Sequence, residues 1–151
     1  RYRDLPKIKD IGHCKTRIVA DGSQQRGTIS DKEKASPTVS LNSTLVIVIV
    51  EAKEQREVAT LDIPNAFLHS HLPEDEQVIM KLTGELAEIM ETMVPEIYHP
   101  FIQVERGKKD LYVKLRKALY GLLKAALLFY ERLSQDLVAD SFCIHPYNPC
   151  V

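Results

Sequence analysis

Asp62 is the acidic residue whose setting most invites chemistry. It closes a mostly apolar run from Glu57 to Ile63 and stands two residues before Pro64. A carboxylate at the mouth of a strand can face a cleft, where oxygen ligands hold Mg²⁺ readily. The other reading is that it caps a short helix starting at Pro64. A two-metal phosphoryl-transfer site needs more than one carboxylate. Glu74, Asp75 and Glu76 follow closely, but as consecutive residues they read as a solvated loop. His69 and His71 are two apart, as are Cys143 and His145, a spacing unlike the usual zinc pairings. Neither a G-x-S-x-G elbow nor a G-x-x-x-x-G-K phosphate loop is present. Tyr120-Gly121 lies between a basic strand and a helix, where the glycine either admits a ligand to the backbone or makes a sharp turn.

These residues need elements to position them. Glu57 to Ile63 reads as a strand with Ala59, Leu61 and Ile63 on one face, ended by Pro64, which cannot donate to a ladder. Asn65 to Ser70 reads as a short helix, and Val78 to Leu82 as a second strand. Thr83 is placed to cap a helix whose Leu86, Ile89, Met90, Met93 and Val94 form one apolar stripe. Phe101 to Glu105 and Leu111 to Leu115 read as a hairpin around Arg106-Gly107-Lys108-Lys109. Gly121 to Ala139 is the strongest helix pattern, and residues 21–37 read as a long polar loop. Leu41 to Val50 is ambiguous: its β-branched run favours strand, while Glu51 to Glu57 continues it with good helix formers. The order of elements specifies an α+β fold.

Composition bounds the rest. The 151 residues are 44% hydrophobic and 27% charged, with net charge −1, which fits one globular domain. The longest apolar run, Leu45 to Val50, is far shorter than the roughly 18 residues a membrane helix needs. The sequence opens on Arg1 with no charged-then-apolar leader, so no signal peptide is expected and the numbering fits the interior of a longer product. Cys14, Cys143 and Cys150 form no C-x-x-C pair and read as reduced thiols. Charge is segregated: +4 over residues 1–34, −8 over 51–104 and +5 over 105–124. Two basic segments that converge in space could follow a phosphate backbone; the plainer reading is a solvated surface.

Five stretches and the final residues carry a family pattern. Lys15-Thr16-Arg17-Ile18-Val19-Ala20-Asp21-Gly22 is similar to K-x-R-x-V-A, and Ser36-Pro37-Thr38-Val39-Ser40 to S-P-V/T-V. Leu61-Asp62-Ile63-Pro64-Asn65-Ala66-Phe67-Leu68 is similar to D-x-x-x-A-F-L, and Val78-Ile79-Met80-Lys81-Leu82 to the strand after it. Leu115-Arg116-Lys117-Ala118-Leu119-Tyr120-Gly121-Leu122 is similar to L-x-K-A/S-L-Y-G-L. Pro146-Tyr147-Asn148-Pro149-Cys150-Val151 is similar to P-Y-D-P-C-V. In this order and separation they resemble the reverse transcriptase domain of copia-type LTR retrotransposons, over about residues 13–151.

The resemblance implies an α+β fold made of the fingers and part of the palm of a right-handed polymerase. About residues 1–57 and 83–115 would be fingers, and 58–82 and 116–151 palm. Leu41 to Val50 would then be helical. It implies an RNA-directed DNA polymerase in which the primer 3′-OH attacks the α-phosphate of a dNTP. Two Mg²⁺ ions would activate the hydroxyl and steady the leaving pyrophosphate. Asp62 would be the catalytic, metal-binding aspartate, with the Ile63 carbonyl beside it. Phe67 would pack under the incoming sugar and exclude a 2′-OH. Lys15 and Arg17 would meet the triphosphate or template, and Tyr120 and Gly121 would line the nucleotide pocket. The implied partners are RNA template, DNA primer and dNTP, with no membrane. The implied location is intracellular, in a cytoplasmic particle or the nucleus.

The departures shape the expectation as well. The family's next motif, a hairpin with two adjacent aspartates, is expected beyond Val151, so one of three family carboxylates lies in these residues. Ser70 stands where Gly is common, Asn148 where Asp is common, and Leu123-Lys124 where a Lys-Gln pair is familiar. The expectation is a truncated, inactive fragment or degenerate copy that self-associates through an incomplete palm. The alternatives are a non-catalytic nucleic-acid-binding remnant and a domesticated protein-interaction module.

Overall fold

A computed structural model of the chain describes residues 17–151 throughout and, before them, the backbone of three short strands, β1 (Tyr2–Asp4), β2 (Lys7–Lys9) and β3 (His13–Lys15). β1 pairs antiparallel with β4 (Ile18–Ala20), Tyr2 opposite Ala20, and β2 pairs antiparallel with β3, Lys7 opposite Lys15. The polar stretch after β4 is less irregular than its composition predicts. It holds a 3-10 turn, Gly22–Gln25, and a one-turn helix α1 (Asp31–Lys34). The Asp21 side chain accepts from the Ser23 amide at 3.1 Å, and the Glu33 carboxylate accepts from the Ser30 amide at 3.0 Å. Such side-chain bonds satisfy backbone donors that a short turn leaves open.

The ambiguous run is helix α2 (Leu41–Glu54). Signals at both ends overrule β propensity. The Ser40 hydroxyl accepts from the Ser43 amide at 3.1 Å, and Gln55, at φ 52°, turns the chain into the left-handed region. Residues 57–63, expected as a strand, form none and run as irregular chain. Leu61 is 93% exposed and Val58 61%. Alternation selects a face, but a strand also needs a neighbour for its N–H and C=O groups, and no described strand lies beside this segment.

The following elements make one sheet. β5 (Ile79–Thr83), β6 (Ile102–Glu105) and β7 (Lys108–Lys114) order as β5-β7-β6, antiparallel throughout. The β6–β7 turn is two residues long: Arg106 and Gly107 have φ 50° and 74°, and the first central position of this tight hairpin turn accepts arginine only at some strain. Helix α3 (Glu85–Met93) packs on the sheet, starting from Gly84 rather than from a Thr83 cap, because Thr83 is spent in β5. α4 (Pro95–Tyr98) follows, and α5 (Ala125–Ala139) begins four residues later than its apolar pattern, after a turn at Gly121. Helices beside antiparallel sheets make the fold α+β.

Two clusters form the core. Leu82, Ala87 and Leu111 are buried between α3 and the sheet, and Ala20, Leu72, Ala118, Leu122 and Ala125 are buried beside β4 and α5. Met80 packs against both. Asp110, 5% exposed, is the buried charge of the sheet. Lys81 Nζ lies 2.6 Å from its carboxylate and 3.4 Å from that of Glu105, and over the Tyr112 ring at 5.5 Å. The Asp110 carboxylate foremost, and then Tyr112, raise the Lys81 pKa well above the usual lysine range.

Candidate functional site

Three stretches distant in sequence meet at one aromatic shelf. The 3-10 turn Ala66–His69 presents Phe67, and the segment after β7 presents Tyr120. The two rings are tilted at 44° with centroids 4.6 Å apart, and Phe129 of α5 meets Phe67 edge-on at 6.1 Å. The Arg17 guanidinium sits 4.7 Å from the Tyr120 centroid. Such ring pairs contribute about 0.5–1.5 kcal/mol beyond burial, and a cation over a ring at a surface about 0.5–1 kcal/mol. Phe67, Tyr120 and Phe129 are half-buried and Arg17 is exposed, so the shelf has an apolar floor and a cationic rim open to solvent.

Backbone packing sets this geometry. The Ala20 amide donates to the Tyr120 carbonyl at 2.7 Å. Gly121 sits at φ 92°, and a Cβ there would lie 1.9 Å from the Ala20 carbonyl oxygen; one on Gly22 would lie 2.2 Å from the Gly121 oxygen. The close approach that Gly121 permits is therefore made by another segment of this chain. Leu122 and Ala125 then drop into the core.

Asp62 lies on the irregular segment leading into the Phe67 turn and is exposed, as is Ile63. It does not cap the turn: Asn65, at φ 54°, occupies that position, and His69 Nε2 lies 3.1 Å from the Pro64 carbonyl. Its oxygens are the hard donors that Mg²⁺ prefers. Among the described residues no three His, Cys, Asp or Glu side chains come together as a metal-binding group. Asp62 and the Ile63 carbonyl thus supply part of a donor set and do not complete one. Lys15 lies in β3, whose side chains are outside the described residues.

A cleft of about 920 Å³ opens beside the shelf, lined by Ala20, Gln25, Met80, Lys81, Tyr112 and Leu122. Arg17, Phe67 and Tyr120 do not line it. Sequence reasoning missed two features here. One is Lys124, whose Nζ lies 2.8 Å from Glu33 and 3.0 Å from Glu76. The other is Gln25, whose Oε1 accepts from the Leu123 amide at 3.1 Å. The sequence signal for Lys124 is the departure at Leu123-Lys124, which by itself specifies no partner.

The structure gives an α+β domain with an aromatic shelf rimmed by a cation, and comparison with known proteins gives its family. The family model described as reverse transcriptase (RNA-dependent DNA polymerase) matches residues 4–148, and the chain belongs to that family as a copia-type reverse transcriptase domain. It is similar to the retrovirus-related Pol polyprotein from transposon TNT 1-94 of Nicotiana tabacum, 31% identical over 150 residues, 96% of this chain and 10% of the relative. It is also similar to the Pol polyproteins from transposons RE2 and RE1 of Arabidopsis thaliana, each 28% identical over 87% of this chain and 8% of the relative. The chain therefore spans about a tenth of the length of these relatives. No solved structure matches it.

Proposed function

We propose that this chain forms the nucleotide-binding part of the RNA-directed DNA polymerase of a copia-type retrotransposon. The observation that carries the reading is the meeting of Arg17, Phe67 and Tyr120, from three separate motifs, at one shelf, with the turn at Gly121 packed on Ala20. About residues 1–57 and 83–115 form fingers, and 58–82 and 116–151 form palm. Phe67 supports the sugar of an incoming dNTP and blocks a 2′-OH. Arg17, with Lys15, neutralises triphosphate or template charge. The basic residues of 105–124 hold the template–primer backbone through counterion release. Asp62 and the Ile63 carbonyl are ligands for Mg²⁺, which when bound activates the primer hydroxyl and neutralises the leaving pyrophosphate. One carboxylate cannot hold two divalent ions against their repulsion, so residues 1–151 alone do not polymerise.

Primer extension tests the reading, using a reverse transcriptase that joins these residues to the family's Asp-Asp hairpin. Asp62→Asn is expected to abolish incorporation while leaving template–primer binding largely intact, because binding rests on basic residues elsewhere. Full incorporation by Asp62→Asn would overturn the assignment. A second reading, nucleic-acid binding without catalysis, is favoured for residues 1–151 because, among the described residues, no three metal-binding side chains gather around Asp62. Tight, salt-dependent template–primer binding without dNTP incorporation would support it.

A further inference from the structure

The turn that carries Tyr120 is tied at both ends to elements preceding α2. On one side the Ala20 amide donates to the Tyr120 carbonyl at 2.7 Å, and the Gly121 backbone lies against Ala20 and Gly22 with no room for a Cβ. On the other side the Leu123 amide donates to Gln25 Oε1 at 3.1 Å. One residue further, Lys124 Nζ lies between the carboxylates of Glu33 at 2.8 Å and Glu76 at 3.0 Å. The Lys124 side chain is only 21% exposed, and the two carboxylates come from α1 and from the loop before β5.

An ammonium has three donors and no acceptor, so two carboxylates on either side match it well. A partly covered bridge is also less screened by salt than a surface pair. Glu33 is committed from the other direction too: its second oxygen accepts from the Ser30 amide at 3.0 Å and the Ser30 hydroxyl at 2.6 Å. Its carboxyl is held down to about 2, chiefly by Lys124 and then by Ser30. The polar network therefore runs unbroken from α1 to the start of α5.

We propose that Lys124 is a positioning residue. By bridging Glu33 and Glu76 it fixes the Tyr120–Lys124 turn, and so holds the Tyr120 ring at its working distance from Phe67 and beneath Arg17. The inference rests on the reading of that shelf as a nucleotide site, and it adds a residue of this chain's own, since the family's common pair here is Lys-Gln. Without the bridge, the polar contacts from the far side of the turn to the preceding elements fall to the neutral Gln25 hydrogen bond, beside the buried Leu122 and Ala125. Apolar packing is non-directional, so the directional hold on that side then rests on one neutral bond.

NMR on the 151-residue chain tests this. Hydrogen exchange at the Ala20 amide and the Phe67–Tyr120 ring cross-peaks report on the shelf, and the Leu111 amide reports on the sheet. Lys124→Met keeps the aliphatic stem and removes the charge. It is expected to speed Ala20 exchange about tenfold and weaken the ring cross-peaks while Leu111 stays unchanged. Lys124→Arg is expected to restore both, because a guanidinium also spans two carboxylates. Unchanged Ala20 exchange in Lys124→Met overturns the proposal. Equal acceleration at Leu111 overturns it too, since Lys124 would then be a general stabiliser. Titration with dTTP and Mg²⁺ separates this inference from the nucleotide reading. If the parent chain's Tyr120 signals do not move, the nucleotide reading fails, while the exchange contrast alone decides the positioning role. If they move, Lys124→Met is expected to need about tenfold more dTTP for the same shift, and an unchanged titration overturns the proposal.

Discussion

The Ser70 hydroxyl is buried, its residue 2% exposed, with no hydrogen-bond partner. Its backbone is fully used: its amide donates to Phe67, and its carbonyl accepts from Ala118. An orphaned hydroxyl of this kind costs about 1–3 kcal/mol. Ser70→Ala is expected to raise stability by about 1 kcal/mol, a rise of roughly 2–4 °C in Tm for a chain this size. A fall in Tm by circular dichroism would show that the hydroxyl has a partner in solution. Ser70→Gly removes the same hydroxyl, but its gain should be smaller, because Gly loses more backbone entropy at this extended position. Phe67→Val belongs to this scale as well. In the complete polymerase it should keep dNTP incorporation and admit NTPs, as read by primer extension with each. Unchanged sugar discrimination would remove Phe67 from the role proposed for it.

Elements are joined here by a few contacts that cannot slide. Gly121→Ala puts a Cβ 1.9 Å from the Ala20 carbonyl oxygen at φ 92°, so the turn and β4 must part. The expected cost is about 3 kcal/mol or more, measured by urea unfolding, and a loss below about 1 kcal/mol would mean the two backbones yield easily. Between β5 and β7, Lys81→Met leaves the buried Asp110 carboxylate with no ammonium, whereas Arg132→Met loosens only the exposed i, i+4 pair with Asp136 on α5. Lys81→Met should therefore lower the urea midpoint clearly, and Arg132→Met should leave it nearly unchanged. The bridge from α1 to α5 adds a pH dependence. The Glu33 carboxyl titrates lower in the folded chain, at about 2, than its ordinary 4.5. Its contribution is thus complete above about pH 4.5 and is lost as pH falls toward about 2. Glu33→Gln should flatten the stability profile across that window while leaving the slope above it unchanged. Equal slopes within that window in parent and variant would argue against the bridge.

At the scale of the whole molecule, apolar surface is unevenly covered. In α2, Leu41 is 73% exposed, Ile49 64% and Val46 59%, and on the approach to the site Leu61 is 93% exposed. Large apolar side chains exposed in this number favour association in water. The 151-residue chain is expected to self-associate with rising concentration. Replacing Leu45 and Ile49 by lysine should shift it toward monomer in sedimentation velocity, with the sheet unaffected. A monodisperse monomer across the accessible concentration range would refute this. Among the described residues no helix is long and apolar enough to cross a membrane.

The sequence alone determined what depends on neighbours in the chain. The strand after the Phe67 turn, the β6–β7 hairpin and helices α3 and α5 were legible from local pattern, although the hairpin turn is two residues rather than four, α3 buries Ala87 with Leu86 and Met90 while Ile89 and Met93 stay exposed, and α2 was decided by the caps at Ser40 and Gln55. The motifs around Arg17, Phe67 and Tyr120 marked the residues that meet at the shelf, because their spacing is a pattern of residue types. Distance along the chain hid the rest. No local pattern shows that residues 57–63 lack a partner strand, since pairing is a property of two segments. Nor could the sequence show that Gly121 is pressed against Ala20, that Asp110 is buried under Lys81, or that Lys124 spans Glu33 and Glu76. Each is a contact between elements far apart in sequence, and its energy arises only when folding removes water from between them.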